Sequence, residues 1–262
     1  MRPFTAVFRA SVLLLLATGS LEALAQGDLT PQEQLWVDGT RPVFAQAKRD
    51  GLPVDIVVQP QPAPGTAPLA LAFLGGRCKL VFSMRENALV QEQEGRIEQD
   101  LGAGKSSLYA ALELMAAHEL FGHCARHVAG LWHAVPDGYL EILPDGLDDA
   151  LQADFSEMRA TRREEGYADL AALAWVHANH YPIYARLHAW LAAERSHDLI
   201  EGSHHDTLAW LRSAGCGQAA IAEVWRDVLL EEASAAASGQ GSTRTAQRGS
   251  QATRHTLRVS QR

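Results

Sequence analysis

The sequence predicts an α+β protein: a small, mostly antiparallel N-terminal sheet with one helix over residues 26–105, then a mainly helical lobe over 106–232. Three observations point there. Alternating, β-branched runs are confined to residues 54–84, and helical spacing of apolar residues takes over from Ser106. The 262 residues are 47% hydrophobic and 21% charged, proportions that suit a globular core and exclude a collagen-like, coiled-coil or wholly disordered chain. The length allows one domain of two lobes, the expectation for this chain, or two small domains.

Residues 1–25 stand apart as a secretory signal. Arg2 and Arg9 form a basic start, Val12-Leu13-Leu14-Leu15-Leu16-Ala17 an apolar core, and Ala23-Leu24-Ala25 a small-x-small cleavage site before Gln26. The apolar core is short against the ~20 residues of a membrane-spanning helix. No later segment is apolar enough to span a membrane, and no Cys follows for lipid attachment. The expected location is therefore periplasmic or secreted. Net charge is 23 − 31 = −8, and 21 − 30 = −9 after cleavage. Such a chain lacks the basic footprint of a duplex nucleic-acid binder. Three cysteines, Cys78, Cys124 and Cys216, allow one disulfide at most.

Along the mature chain, Thr30-Pro31 reads as an N-cap and a first-turn proline, opening a helix that ends near Arg49 ahead of Gly51 and Pro53. Val54–Val58 alternates and reads as a strand. A Pro-rich loop follows. The apolar runs 69–74 and 78–84, separated by Gly75-Gly76, read as a hairpin. Gly102-Ala103-Gly104-Lys105-Ser106 is not a phosphate loop, because Gln99 stands where that motif needs its first glycine. It breaks the chain instead, with Ser106 or Ser107 expected to cap the next helix. Residues 108–127 are apolar nearly all round, the mark of a buried helix. Two Pro-Asp-Gly turns at Pro136 and Pro144 precede a helical stretch over 147–180, broken near Arg163 and closed by Tyr181-Pro182. Further helices fit 183–195, 206–214 and 218–232. The Trp residues at 132, 175, 190, 210 and 225 read as core, and His204-His205-Asp206 as a helix start. The tail 233–262, with five Arg and no acid, reads as disordered.

The chemistry sits in His118-Glu119-Leu120-Phe121-Gly122-His123, inside the buried helix. Ionisable side chains there need partners or a metal. Ligands four apart on an α-helix diverge by ~40°; the five-residue spacing here gives ~140°. A π-bulge absorbs one extra residue, and Gly122 suits that local widening. Catalytic zinc takes three protein ligands and keeps one position open. The best third ligand is Glu165 in Glu164-Glu165-Gly166-Tyr167-Ala168-Asp169, where Glu165 and Asp169 share a helix face. Asp169 would accept a hydrogen bond from the outer nitrogen of a ligating His, and Gly166 would let two helices approach closely. His123 and His127, also four apart, are the alternative pair. Cys124 reads as a buried thiol or one half of a disulfide.

His-Glu-x-x-Gly-His followed by Glu-Glu-x-x-Ala-Asp resembles the zinc motifs of the dipeptidyl-peptidase III family. The same first spacing with a later Glu-Gly-x-Ala also looks like the tubulin tyrosine carboxypeptidases and their bacterial relatives. Both are gluzincins. The resemblance covers residues from about 106 to 175. It implies a zincin-like fold and one zinc ion held by His118, His123 and Glu165, with Glu119 as general base and Asp169 behind a ligand. The chain is much shorter than dipeptidyl-peptidase III, so dipeptide specificity is not carried over. The function expected is an exported zinc peptidase acting on a peptide or protein substrate. The alternatives are an inactive zinc-binding periplasmic protein and a helical interaction module. Tyr139, His133, Tyr167 and His177 are the candidate oxyanion stabilisers. The strand 78–84 is the expected substrate-pairing edge.

Overall fold

A computed structural model describes residues 29–128, 146–197 and 199–215. The predicted signal peptide, most of the Pro-Asp-Gly turn segment, the helix 218–232, the tail, and Tyr139, His133, Trp132, Trp225 and Cys216 lie outside the described residues. The fold is α+β, a three-stranded sheet among helices.

Helix α1 (Pro31–Arg49) opens on a capping box. The Thr30 hydroxyl accepts the Glu33 amide N–H at 3.2 Å, and the Glu33 carboxylate accepts that of Thr30 at 2.7 Å. Trp36, Val37, Val43 and Ala47 form its buried stripe. At Gly39 an added Cβ would lie 2.6 Å from Leu112, so α1 lies directly on the helix leading into the histidine motif.

Strands β1 (Val54–Val58), β2 (Leu69–Leu74) and β3 (Arg77–Phe82) form one sheet in the order β1-β3-β2. β2 and β3 make the expected hairpin, with Gly75 and Gly76 both at positive φ as its two-residue turn requires. β1 runs parallel to β3, because the 59–68 loop stays at the end where β1 finishes and β2 carries the chain back before β3 begins. The sheet is therefore mixed rather than mostly antiparallel. With both its edges paired, β3 cannot take a substrate strand; among the described residues the unpaired edges belong to β1 and β2.

Helix α2 (Ala88–Leu101), capped by Asn87, is an element the sequence reading left without assignment. Helix α3 (Lys105–Ala117) starts from Gly104, not from a serine cap; the Ser107 hydroxyl donates instead to the Leu101 carbonyl at 2.9 Å. The chain continues without interruption through a π-helical segment, His118–Cys124, into the short α4 (Ala125–Val128). Helix α5 (Asp149–Asn179) runs unbroken for 31 residues, about 46 Å, so the expected break near Arg163 does not occur. A 3₁₀ turn (Tyr181–Ile183) leads to α6 (Tyr184–Ser196), and α7 (Leu208–Gly215) closes the described chain.

The core joins both lobes through Trp36, Leu80, Phe82, Leu112, Leu120 and Leu173, all fully buried. Cys78 on β3 is disulfide-bonded to Cys124 at the end of the π-helix, which resolves the two readings of Cys124 in favour of a disulfide half. Among the described residues no helix is long and apolar enough to cross a membrane.

Candidate metal centre

The π-helix does what the five-residue spacing demands. Hydrogen bonding to the fifth residue along widens the turn, so His118 and His123 fall on one face. Their Nε2 atoms are 3.1 Å apart. Gly122 serves this arrangement by close approach: a Cβ there would sit 2.3 Å from Ala168 Cβ on α5. That contact brings Glu165, one turn earlier on α5, to the two rings. Gly166, expected at the helix crossing, instead accommodates the Trp210 indole of α7.

Glu165 Oε2 is 3.4 Å from His118 Nε2, and its Oε1 is 3.6 Å from His123 Nε2. One donor atom from each of these three residues lies within 4.8 Å of the others. Tetrahedral coordination with zinc bonds near 2.0–2.1 Å requires ligand atoms about 3.3–3.4 Å apart. The two ring nitrogens and the Glu165 carboxylate, one oxygen near each ring, lie close to that spacing. Two ring nitrogens and a carboxylate this close together in a buried cluster require a shared proton or cation between them.

The outer ring nitrogens are held from behind. His118 Nδ1 lies 3.0 Å from Asp169 Oδ1, the arrangement expected from the sequence. His123 Nδ1 lies 2.7 Å from Glu164 Oε1, a role the sequence reading did not assign. Each carboxylate favours the tautomer with the proton on Nδ1, which turns the Nε2 lone pair inward. Asp169 is itself gripped by Arg195 of α6, through Nε at 2.9 Å and Nη2 at 2.6 Å, and by the Thr207 hydroxyl at 2.6 Å.

Burial acts against charge throughout this cluster, and the charged neighbours decide the outcome. Burial alone would lower His118, but the Asp169 and Glu165 carboxylates outweigh it and raise its pKa to about 10. Burial pulls Glu165 upward, yet His118, His123 and Arg195 hold it at about 2. Asp169 lies well below the ordinary carboxylate range for the same kind of reason, with Arg195 its strongest favourable partner. Glu119 differs: burial pushes it above its ordinary value, and the nearby imidazoles offset this only in part.

Glu119 lines a cleft of about 530 Å³ that also contains the three donor residues. Apolar side chains also line it, among them Leu71 and Phe73 of β2 with Met115, Trp190 and Leu191. His205 lines the same cleft, although the sequence reads it only as a helix start. Its placement follows from two anchors on α5. Arg162 donates to the carbonyls of Gly202 and Ser203, and Thr207 donates to Asp169, so the intervening loop straddles the Glu164–Glu165 turn. Desolvation by the surrounding groups lowers the His205 imidazole to about 4, although its surface remains exposed at the cleft mouth.

Of the oxyanion candidates within the described residues, neither lines the cleft. Tyr167 lies beneath the Arg126 guanidinium, 3.9 Å from its ring centre, and His177 packs edge-on against Tyr181 and Tyr184. His127 rests against the Phe73 ring rather than among the donors. Residues 195–207 could not be linked to the motif from sequence, because no spacing rule connects α6 and its following loop to α5. No protein-family model matches the chain, nor does any curated protein or any solved structure.

Proposed function

We propose that the protein is an exported, zinc-dependent metallopeptidase of zincin-like fold. The observation that carries the reading is the convergence of His118 Nε2, His123 Nε2 and a Glu165 oxygen within 4.8 Å of one another, with a second glutamate, Glu119, in the same cleft but outside the donor set. A purely structural zinc site is closed by four protein ligands and needs no base beside it. The Cys78–Cys124 disulfide supports export to an oxidising space.

His118, His123 and Glu165 would hold the ion, which when bound polarises a carbonyl and brings the pKa of a water molecule down to ~7. Glu119 takes the proton of the attacking water on its carboxylate and delivers it to the leaving amine nitrogen. Its upward-shifted pKa suits a group that must first accept and then release a proton. The edge of β2 that is unpaired among the described residues would hold an extended substrate by main-chain hydrogen bonds, while Leu71 and Phe73 meet alternate side chains. The neutral His205 imidazole presents an N–H to the carbonyl oxygen as negative charge grows there.

The test is Glu119→Gln. Zinc content should stay at one ion per chain while hydrolysis of unstructured peptides falls about 10²- to 10⁴-fold. Equal activity in the two proteins would remove Glu119 from the mechanism. Bound zinc without turnover across a broad peptide library would identify an inactive metal-binding protein. Absence of zinc from the pure wild-type chain would leave a helical interaction module.

A further inference from the structure

We infer that Arg195 is a positioning residue that restricts Glu165 to ligation through a single oxygen, and so makes the centre selective for zinc over harder divalent cations. The inference rests on the metal-site reading above. One nitrogen of the guanidinium, Nη2, lies 2.6 Å from Asp169 Oδ1, 3.5 Å from Glu165 Oε2 and 3.5 Å from His118 Nδ1. Nη2 carries two N–H bonds. One is spent on Asp169 and the other reaches toward His118 Nδ1, while Glu165 Oε2 lies beside the same nitrogen as an ion pair at 3.5 Å.

The guanidinium cannot slide away from this position. Its fork is completed by Nε on Asp169 Oδ2 at 2.9 Å, and the side chain is only 15% exposed. The neighbouring Glu194 is tied to Arg96 and Gln93 of α2, which fixes the end of α6. A fixed positive charge beside Oε2 disfavours a cation there and leaves Oε1 as the ligating oxygen. With two imidazoles and one carboxylate oxygen, the donor set is three, the number a tetrahedral zinc site with one open position uses. Manganese and calcium need more oxygen ligands, and Glu165 supplies a second only if Oε2 is released. Lysine would keep the charge but not the fork, since a single ammonium point charge cannot engage Asp169 twice and still address Glu165.

Cobalt(II) is the spectroscopic probe, because its visible bands are intense when four-coordinate and weak when six-coordinate. The full chain is stripped of metal, reloaded with cobalt(II), and titrated separately with zinc and manganese. Wild type should show the intense bands. R195Q and R195K should each show weakened bands, with the zinc-to-manganese affinity ratio falling about tenfold or more. T207V removes a different Asp169 partner without touching Glu165, so it should weaken metal binding yet keep the band intensity. Should R195Q fail to fold, R195K carries the comparison, since it retains the buried charge. Wild-type bands and an unchanged ratio in R195K would overturn the inference. A wild-type chain that takes up no cobalt would overturn the site itself, and that outcome is read before any variant is made.

Discussion

Gly122 has no room for a side chain. Its missing Cβ would fall 2.3 Å from the Cβ of Ala168 and 2.6 Å from its Cα, and the second of these is backbone that cannot rotate aside. Gly122→Ala must therefore push the π-helix away from α5, separating His123 from Glu165. We expect a loss of about 1–3 kcal/mol in unfolding free energy, accompanied by weakened zinc binding. Denaturant titration and competition with a chromophoric chelator read the two effects, and unchanged values in both would mean the helix contact is slack. At this scale the donor trio was legible. His118 and His123 declared themselves as ionisable side chains within an apolar helix, and the Glu165/Asp169 pair by sharing one face at four-residue spacing. Glu164 escaped notice because adjacent helical residues point about 100° apart, so one neighbour's role predicts nothing of the other's. Arg195, Thr207 and His205 come from segments whose only link to the motif is tertiary.

Elements were legible where their signals are local. The capping box of α1, the Gly-Gly hairpin and the widened turn at His118–Cys124 each follow from a few consecutive residues. Helix α2 was not, because it buries only Val90, Ile97 and Leu101 and is otherwise polar, with Gly95 at its middle. The unbroken α5 has the opposite cause. Glu164-Glu165-Gly166 looks like a helix stop, but Trp210 covers Gly166 and Gly122 meets Ala168, so packing overrides propensity at that turn. The parallel pairing of β1 with β3 is equally non-local. The disulfide then ties two elements together, joining the central strand to the residue after His123 and closing a loop of 46 residues. Replacing both Cys78 and Cys124 with Ala should cost up to about 4 kcal/mol, the chain-entropy value for a loop of that length. The measurement is the denaturation midpoint of the double variant against wild type, both metal-loaded. A loss below the error of the assay would show that packing alone holds β3 against the π-helix.

Across the whole molecule, the site depends on α1 staying docked, since α1 lies on α3 and α3 runs straight into the histidines. Glu33 fastens that docking. Its fully buried carboxylate accepts from Arg85 Nε at 2.8 Å and Nη2 at 3.2 Å, beyond the far end of the sheet's last strand, as well as from the Thr30 amide. Burial taken alone would raise the Glu33 pKa, but the hydrogen bonds from Arg85 and Thr30 outweigh it and hold the group below its ordinary value of 4.5. The folded state therefore binds fewer protons at this position than the unfolded state does between the two values. Its stabilisation is complete above the unfolded value and drains away as the pH falls through the folded one. Glu33→Gln removes the charge at every pH. At neutral pH the variant should be less stable than wild type by about 1–3 kcal/mol, the range for an unpaired buried partner. As acid is added below 4.5, wild type should lose stability faster, so the gap between the proteins narrows. Every other carboxylate titrates in both proteins and cancels in the difference, which makes the gap itself the quantity to follow by denaturant unfolding across the acid range. A gap that does not change with pH would show that Glu33 acts through shape rather than charge, and that α1 is held to the rest of the fold by its apolar stripe alone.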